Sequence, residues 1–172
     1  DRESVSLAAE LTAAFAKELG FSVEEHPFPR AGSGLVVSRE TGSVSAPIGF
    51  VAHLDTVHPA GSFPDSLKPA PEGGLYGPGI VDCKGGVAVA LLAMYALKEL
   101  GFSRPLRLLL TPDEEASNRL TGDDGIAFLQ SHVKDCPAAF VCECGKRDEA
   151  VVERKGITKV RVDIRGRAAH AG

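Results

Sequence analysis

The chain has 172 residues, 44% hydrophobic and 24% charged, with 19 Lys and Arg against 23 Asp and Glu for a net charge of −4, the composition of an ordinary globular protein. An acidic balance with no run of even three basic residues speaks against a nucleic-acid partner. The longest apolar stretch, residues 87–97 between Lys84 and Lys98, is too short to span a bilayer and reads as a buried core helix, so no membrane partner is expected.

Leu7, Leu11, Phe15 and Leu19 recur every four residues and Gly20 follows, which predicts an amphipathic helix over 6–19. Short β-rich runs follow at 34–38 and 47–52, the second nearly all apolar, as a strand covered on both faces would be. Residues 54–81 form a long loop rich in Pro and Gly, without a period of its own; loops of that length are commonly functional. A helix over 85–100 ended by Gly101, a strand over 106–110, a helix around 122–133 and a strand over 138–142 complete an alternation that implies an open α/β sheet with right-handed crossovers. From 150 onward Val160, Val162 and Ile164 alternate with Arg161, Asp163 and Arg165, the pattern of a strand with one wet face in another layer or domain.

Charge follows the same division. Residues 1–145 hold 11 basic and 19 acidic side chains, a net of −8, whereas 146–172 hold 8 and 4, a net of +4. The chain is therefore expected to break off soon after a second domain begins. It starts at Asp1 without a signal region, and its four cysteines, Cys83, Cys136, Cys142 and Cys144, form no CxxC pair. A cytoplasmic protein with reduced thiols is the expectation.

In open α/β sheets ligands bind beyond the carboxyl ends of the strands. There the strand 47–52 delivers His53 and Asp55, strand 106–110 delivers Asp113, Glu114 and Glu115, and strand 138–142 delivers Glu143, while Asp82 precedes the glycines that open the helix 85–100. One imidazole among this many carboxylates is self-repelling unless divalent cations join it. Imidazole with carboxylates suits zinc, cobalt, nickel or manganese better than calcium. His53 and Asp55, two apart, point the same way in an extended segment, so one can ligate while the other forms the hydrogen bond that orients the ring. Glu114 and Glu115 diverge, so one can bind metal while its neighbour faces substrate as a general base. Singly, a His-x-Asp pair is a common accident and an acidic run near a helix start is a helix-dipole feature; their joint placement after successive strands favours a site. Cys136, Cys142 and Cys144 with His132 could form a metal knuckle, but plain buried thiols are the favoured reading.

The ordered segments GFVAHLDTVHP, LYGPGIVDCKGG, TPDEEAS and GRAAHAG resemble the co-catalytic zinc peptidase family of glutamate carboxypeptidase, succinyl-diaminopimelate desuccinylase, acetylornithine deacetylase and aminoacylases, over about residues 45–172. The resemblance implies residues 1–150 as the first segment of the catalytic domain, an open, mixed, largely parallel sheet flanked by helices, and 151–172 as the start of a smaller α+β lid or dimerisation domain. It implies two divalent ions, zinc foremost and cobalt or manganese next. His53 and Glu143 would ligate one ion, Asp82 would bridge both and Glu115 would ligate the second. Asp55 would orient His53, Glu114 would be the general base, and His170 would polarise the scissile carbonyl, in a homodimer from the partner's side. Hydrolysis of a small peptide or an N-acyl amino acid follows, with a biosynthetic deacetylase or desuccinylase, or an inactive fragment, as alternatives. Ala116, Ser117 and Asn118 stand where the family carries glycine, Cys83 where it carries methionine and Cys144 where it carries proline, without expected effect on the chemistry. The family's last metal ligand, a distant histidine, has no counterpart in the sequence.

Overall fold

The computed structural model of the chain describes residues 1–63, 67–146, 148–156, 158 and 160–167. Helix α1 (Arg2–Glu18) begins where Asp1 Oδ1 accepts the Ser4 backbone N–H at 2.9 Å, which satisfies a donor that a helix start leaves free. It ends at Gly20, whose φ of +81° lets the chain reverse while the Phe21 N–H returns to the Ala16 carbonyl. The predicted helix forms, but its bulky stripe is not its packing face. Leu7, Leu11 and Phe15 are exposed, and Val5, Ala9, Ala13 and Ala16 are buried. Small side chains bring the helix backbone close to the sheet, which leucines on that face would hold away.

Strands β1 (Ser22–Phe28) and β2 (Gly32–Arg39) form an antiparallel hairpin with Ser22 opposite Ser38 and Phe28 opposite Gly32. The sequence pattern does not announce β1, because Glu24, Glu25 and Pro27 give it the composition of a sheet edge, which is where it lies. Strand β3 (Ile48–His53) is followed by the long loop, which holds a small hairpin of β4 (Lys68–Pro69) and β5 (Leu75–Tyr76). Helix α2 (Gly85–Glu99), β6 (Leu106–Thr111), α3 (Asp123–Val133) and β7 (Ala139–Val141) follow in the predicted order.

The five-stranded sheet has the order β1-β2-β6-β3-β7. β3 pairs in parallel with both β6 and β7, β2 is antiparallel to β6, and β1 antiparallel to β2, so only β2 runs against the other four. From β3 the chain crosses through α2 to β6, then back through α3 to β7 on the opposite side of β3. Two right-handed crossovers in opposite directions place their helices on opposite faces. The packing shows that outcome. Val87, Ala90, Leu91 and Met94 of α2 join α1 in a cluster with Leu35, Leu108 and Leu110 on one face. Phe128 of α3 packs with Phe28, Val36 and Leu109 on the other. Helix α2 and the turn before it, Ile80–Glu99, are long and apolar enough to cross a membrane by length and composition, but here α2 packs against the sheet.

Among the described residues none after Val141 enters a sheet, so the strand expected around 160–165 is not formed. Val160, Val162 and Ile164 are exposed. Alternation supplies an apolar face, but a strand exists only through a hydrogen-bonded neighbour, and no described segment pairs with this one.

Candidate metal centre

The opposed crossovers place a crevice at the carboxyl ends of β3 and β6, the point where an open α/β sheet collects its ligands. His53 pairs with Thr111 at the last rung of the two strands, so the residues that follow leave the sheet side by side. Asp55 ties the two exits together: its Oδ1 accepts the Glu114 N–H at 3.1 Å and its Oδ2 the Glu115 N–H at 2.9 Å. The same carboxylate stands 3.2 Å from His53 Nδ1, as does the Asp55 carbonyl. His53 is fully buried, and its ring direction is therefore set from the Nδ1 side.

Its Nε2 faces the crevice. Asp82 Oδ1 lies 2.8 Å from it, Glu143 Oε1 3.5 Å and Glu114 Oε2 4.0 Å. Asp82 comes from an irregular turn over Ile80–Lys84, where Asp82 and Cys83 depart from helical geometry and are joined by a cis peptide bond. Cys83 Sγ accepts the His53 backbone N–H at 3.1 Å. Glu143 comes from the exit of β7, where the Cys142 N–H donates to the Val51 carbonyl at 2.8 Å. One donor atom from each of His53, Asp82, Cys83 and Glu143 falls within 4.8 Å of the others.

The electrostatics fit a cation. Burial opposes charge on the His53 ring, but its contacts with Asp55, Cys83 and Asp82 outweigh that and push its pKa from 6.5 up to about 12. Burial acts against ionisation of Asp55 too, yet the hydrogen bonds from His53 and from the Glu114 and Glu115 backbone hold its carboxyl below the usual range. Burial raises Glu143, and the neighbouring Asp82 and Glu114 add to the rise against the pull of His53. An imidazole that must carry positive charge between carboxylates, beside a glutamate reluctant to ionise, is a donor set whose charge balance a divalent ion restores in place of a proton. A cleft of about 300 Å³ opens beside it, lined by Thr56, Val57, Leu75, Tyr76, Asp82 and Glu115.

His53, Asp82 and Glu143 thus converge as the sequence implies, with Glu114 at the margin and Asp55 behind the ring. Glu115 lies further out, its Oε1 accepting the Val57 N–H at 3.3 Å. His170 lies outside the described residues. Two expectations about cysteine need correction. Cys83, read as without effect on the chemistry, puts its sulfur in the donor cluster, because the non-helical turn places it against the His53 backbone, whose N–H it accepts. The set Cys136, Cys142 and Cys144 is not uniformly buried: Cys144 is exposed and the other two are half-buried, since β7 ends at Val141 before its alternation reaches Cys142 and Cys144, and Cys136 lies in the connection before the strand.

Two further residues escape a reading by motif. Asp113 is 1% exposed, and its Oδ2 accepts the N–H groups of Leu120 and Thr121 at 2.6 and 2.9 Å, which closes the turn that Ser117 and Asn118 enter with φ near +55°. Lys84 donates to the Leu54 carbonyl at 3.3 Å beside Asp55 and Glu115. The cue available for Asp113 was its place at the start of a polar turn, where aspartate accepts backbone N–H groups.

Comparison with known proteins agrees with this geometry. The chain is 30% identical over 179 aligned positions to carboxypeptidase G2 of Pseudomonas sp. (strain RS-16), with all of this chain and 42% of the relative covered. It is 33% identical to a succinyl-diaminopimelate desuccinylase of Acidiphilium cryptum (strain JF-5), covering 88% of this chain and again 42% of the relative. The chain therefore spans less than half the length of these relatives. Human carnosine dipeptidase 1 shares the fold with a TM-score of 0.66 at 18% identity, over 81% of this chain and 33% of that one. The model of peptidase family M20/M25/M40 matches residues 49–170, a span that runs from β3 through every segment contributing a donor to the crevice, and the chain belongs to that family.

Proposed function

We propose that the chain is the first segment of the catalytic domain of a metal-dependent amidohydrolase, carboxypeptidase-like, that cleaves an amide bond of a small peptide or N-acyl amino acid. The convergence of Asp82 and Glu143 on the free nitrogen of a buried, oriented His53 carries the reading. His53, Asp82 and Glu143 would hold one divalent ion, and Glu115 with Asp82 would help to hold a second. Zinc is favoured, with cobalt or manganese as alternatives, because imidazole and carboxylates are their common donors. When bound, such ions supply Lewis acidity that polarises the amide carbonyl and lowers the pKa of water.

The chain's own residues do the rest. Asp55 fixes the His53 ring through Nδ1 and fixes the Glu114–Glu115 backbone through its two oxygens. Glu114, more than half exposed at the crevice mouth, takes the proton of the attacking water and returns it to the leaving amine. The cleft beside Asp82 and Glu115 receives the substrate. In the same reading, residues 151–172 begin a lid and dimerisation domain, and His170 polarises the scissile carbonyl from it. The desuccinylase relative supports a second substrate class, the acylated intermediates of amino-acid biosynthesis. Comparing hydrolysis of acyl-glutamates, acetylornithine and succinyl-diaminopimelate by the complete enzyme separates the two.

The test is Glu114→Ala in the complete enzyme. Turnover is expected to fall by about 10²–10⁴-fold, the usual worth of a general base, while metal content measured by mass spectrometry stays unchanged. Full activity in the variant overturns the assignment.

A further inference from the structure

The turn that carries Asp82 to the centre leads into α2, the strand exit that carries Glu143 packs against that helix, and Gly86 is where the two meet. A Cβ placed on Gly86 overlaps the Cys142 carbonyl oxygen and falls 2.9 Å from its carbonyl carbon. The Cys142 N–H is held to Val51 of β3 at 2.8 Å, so the carbonyl can give way only by displacing the residues that follow it. Gly86 does not have the left-handed backbone that favours glycine, and alanine is the better helix former. Space, not conformation, is what the glycine provides.

The geometry points to Gly86 as a positioning residue for the metal centre. By seating the Cys142 carbonyl against α2, it sets the separation of Asp82 and Glu143, whose oxygens reach His53 Nε2 at 2.8 and 3.5 Å. The inference rests on the reading of Glu143 as a metal ligand. A methyl group at 86 drives the β7 exit outward and takes Glu143 with it, so a helix-favouring substitution weakens metal binding. Losses on the order of 10–100-fold are typical when the support behind a ligand is disturbed.

Zn²⁺ binding to the full chain, measured by titration calorimetry, tests this with Gly86→Ala, Glu143→Gln and the double variant. All are held in trimethylamine N-oxide, which favours the compact state, and circular dichroism verifies the fold. Gly86→Ala and Glu143→Gln are each expected to bind Zn²⁺ more weakly by on the order of 10–100-fold. The double variant should bind no more weakly than Glu143→Gln alone, since the glycine acts through the glutamate. Wild-type affinity in Gly86→Ala beside a weakened Glu143→Gln overturns the proposal and leaves the glutamate's role standing. Unchanged affinity in Glu143→Gln overturns the ligand reading and the proposal with it. Additive losses in the double variant, or a Gly86→Ala chain that stays unfolded in the osmolyte, also overturn it, because the methyl group then acts somewhere other than Glu143.

Discussion

Asp113 and Glu114 are neighbours with opposite duties. Asp113 is buried and its Oδ2 holds the N–H groups of Leu120 and Thr121, whereas Glu114 projects into the crevice mouth, where among the described residues its side chain comes no nearer to a charged partner than 4.0 Å, at His53. Removing an acceptor from buried donors costs about 1–3 kcal/mol, and truncating an exposed side chain without partners changes stability by about 0.5 kcal/mol or less. Asp113→Ala should therefore shift the urea unfolding midpoint of the chain markedly, and Glu114→Ala should leave it in place. Equal shifts for the two would show that the carboxylates are not divided between fold and chemistry. As residue types in a row, Asp113, Glu114 and Glu115 form a single acidic run. Burial and the direction of the backbone sort them, and neither can be read from spacing. Cys83 makes the same point: its identity suggests a core thiol, while the non-helical turn it shares with Asp82 puts its sulfur in the donor cluster.

Helix α1 poses the corresponding question for an element. Its four-residue apolar repeat was legible as a helix but misleading as a face, since Ala9 and Ala16 are completely buried while Leu11 is 64% exposed. Enlarging a side chain in a close-packed contact costs about 1–3 kcal/mol, and an exposed leucine replaced by glutamine costs about 0.5 kcal/mol or less. Ala9→Leu is expected to lower the chain's unfolding free energy by the first amount and Leu11→Gln by no more than the second, as read from urea denaturation. The reverse ranking would mean that the leucine stripe is the packing face. Among the elements expected in advance, β2, β3 and β6 carry the apolar content that decides their burial, since Leu108, Leu109 and Leu110 are buried whatever their register, whereas β7, expected too, is exposed. Strand β1 was not expected, because an edge is defined by what lies on its far side. The strand expected at 160–165 fails for the same reason, an apolar face without a described neighbour. Strand order alone brings His53 and Glu143 to one crevice, whereas Asp82 reaches it from the irregular turn before α2.

For the whole molecule the central fact is that four segments meet at one acidic crevice around a single imidazole, and proton and metal compete for it. Without metal, the pKa of His53 is raised in the folded state from 6.5 to about 12. Its contribution to stability is then complete below pH 6.5 and is lost as pH rises towards 12, because the native state holds a proton that the unfolded chain releases. Glu143 is also raised, from 4.5, and its contribution likewise fades as pH rises through its folded value. Asp55 is lowered from 3.8, so its contribution is present above that value and disappears as pH falls through its folded value. The metal-free chain should therefore lose stability between about pH 7 and pH 9, by at most about 1.4 kcal/mol per pH unit for the one proton on His53. Zn²⁺ replaces that proton, so binding releases it and strengthens as pH rises. A free Zn²⁺ concentration of about 100 times Kd adds about 2.7 kcal/mol to the folded state, and at fixed Zn²⁺ the increment should grow over the same pH interval. Urea denaturation with Zn²⁺ and with EDTA across that interval checks both slopes. A zinc increment that shrinks with rising pH would show that metal and proton do not share His53.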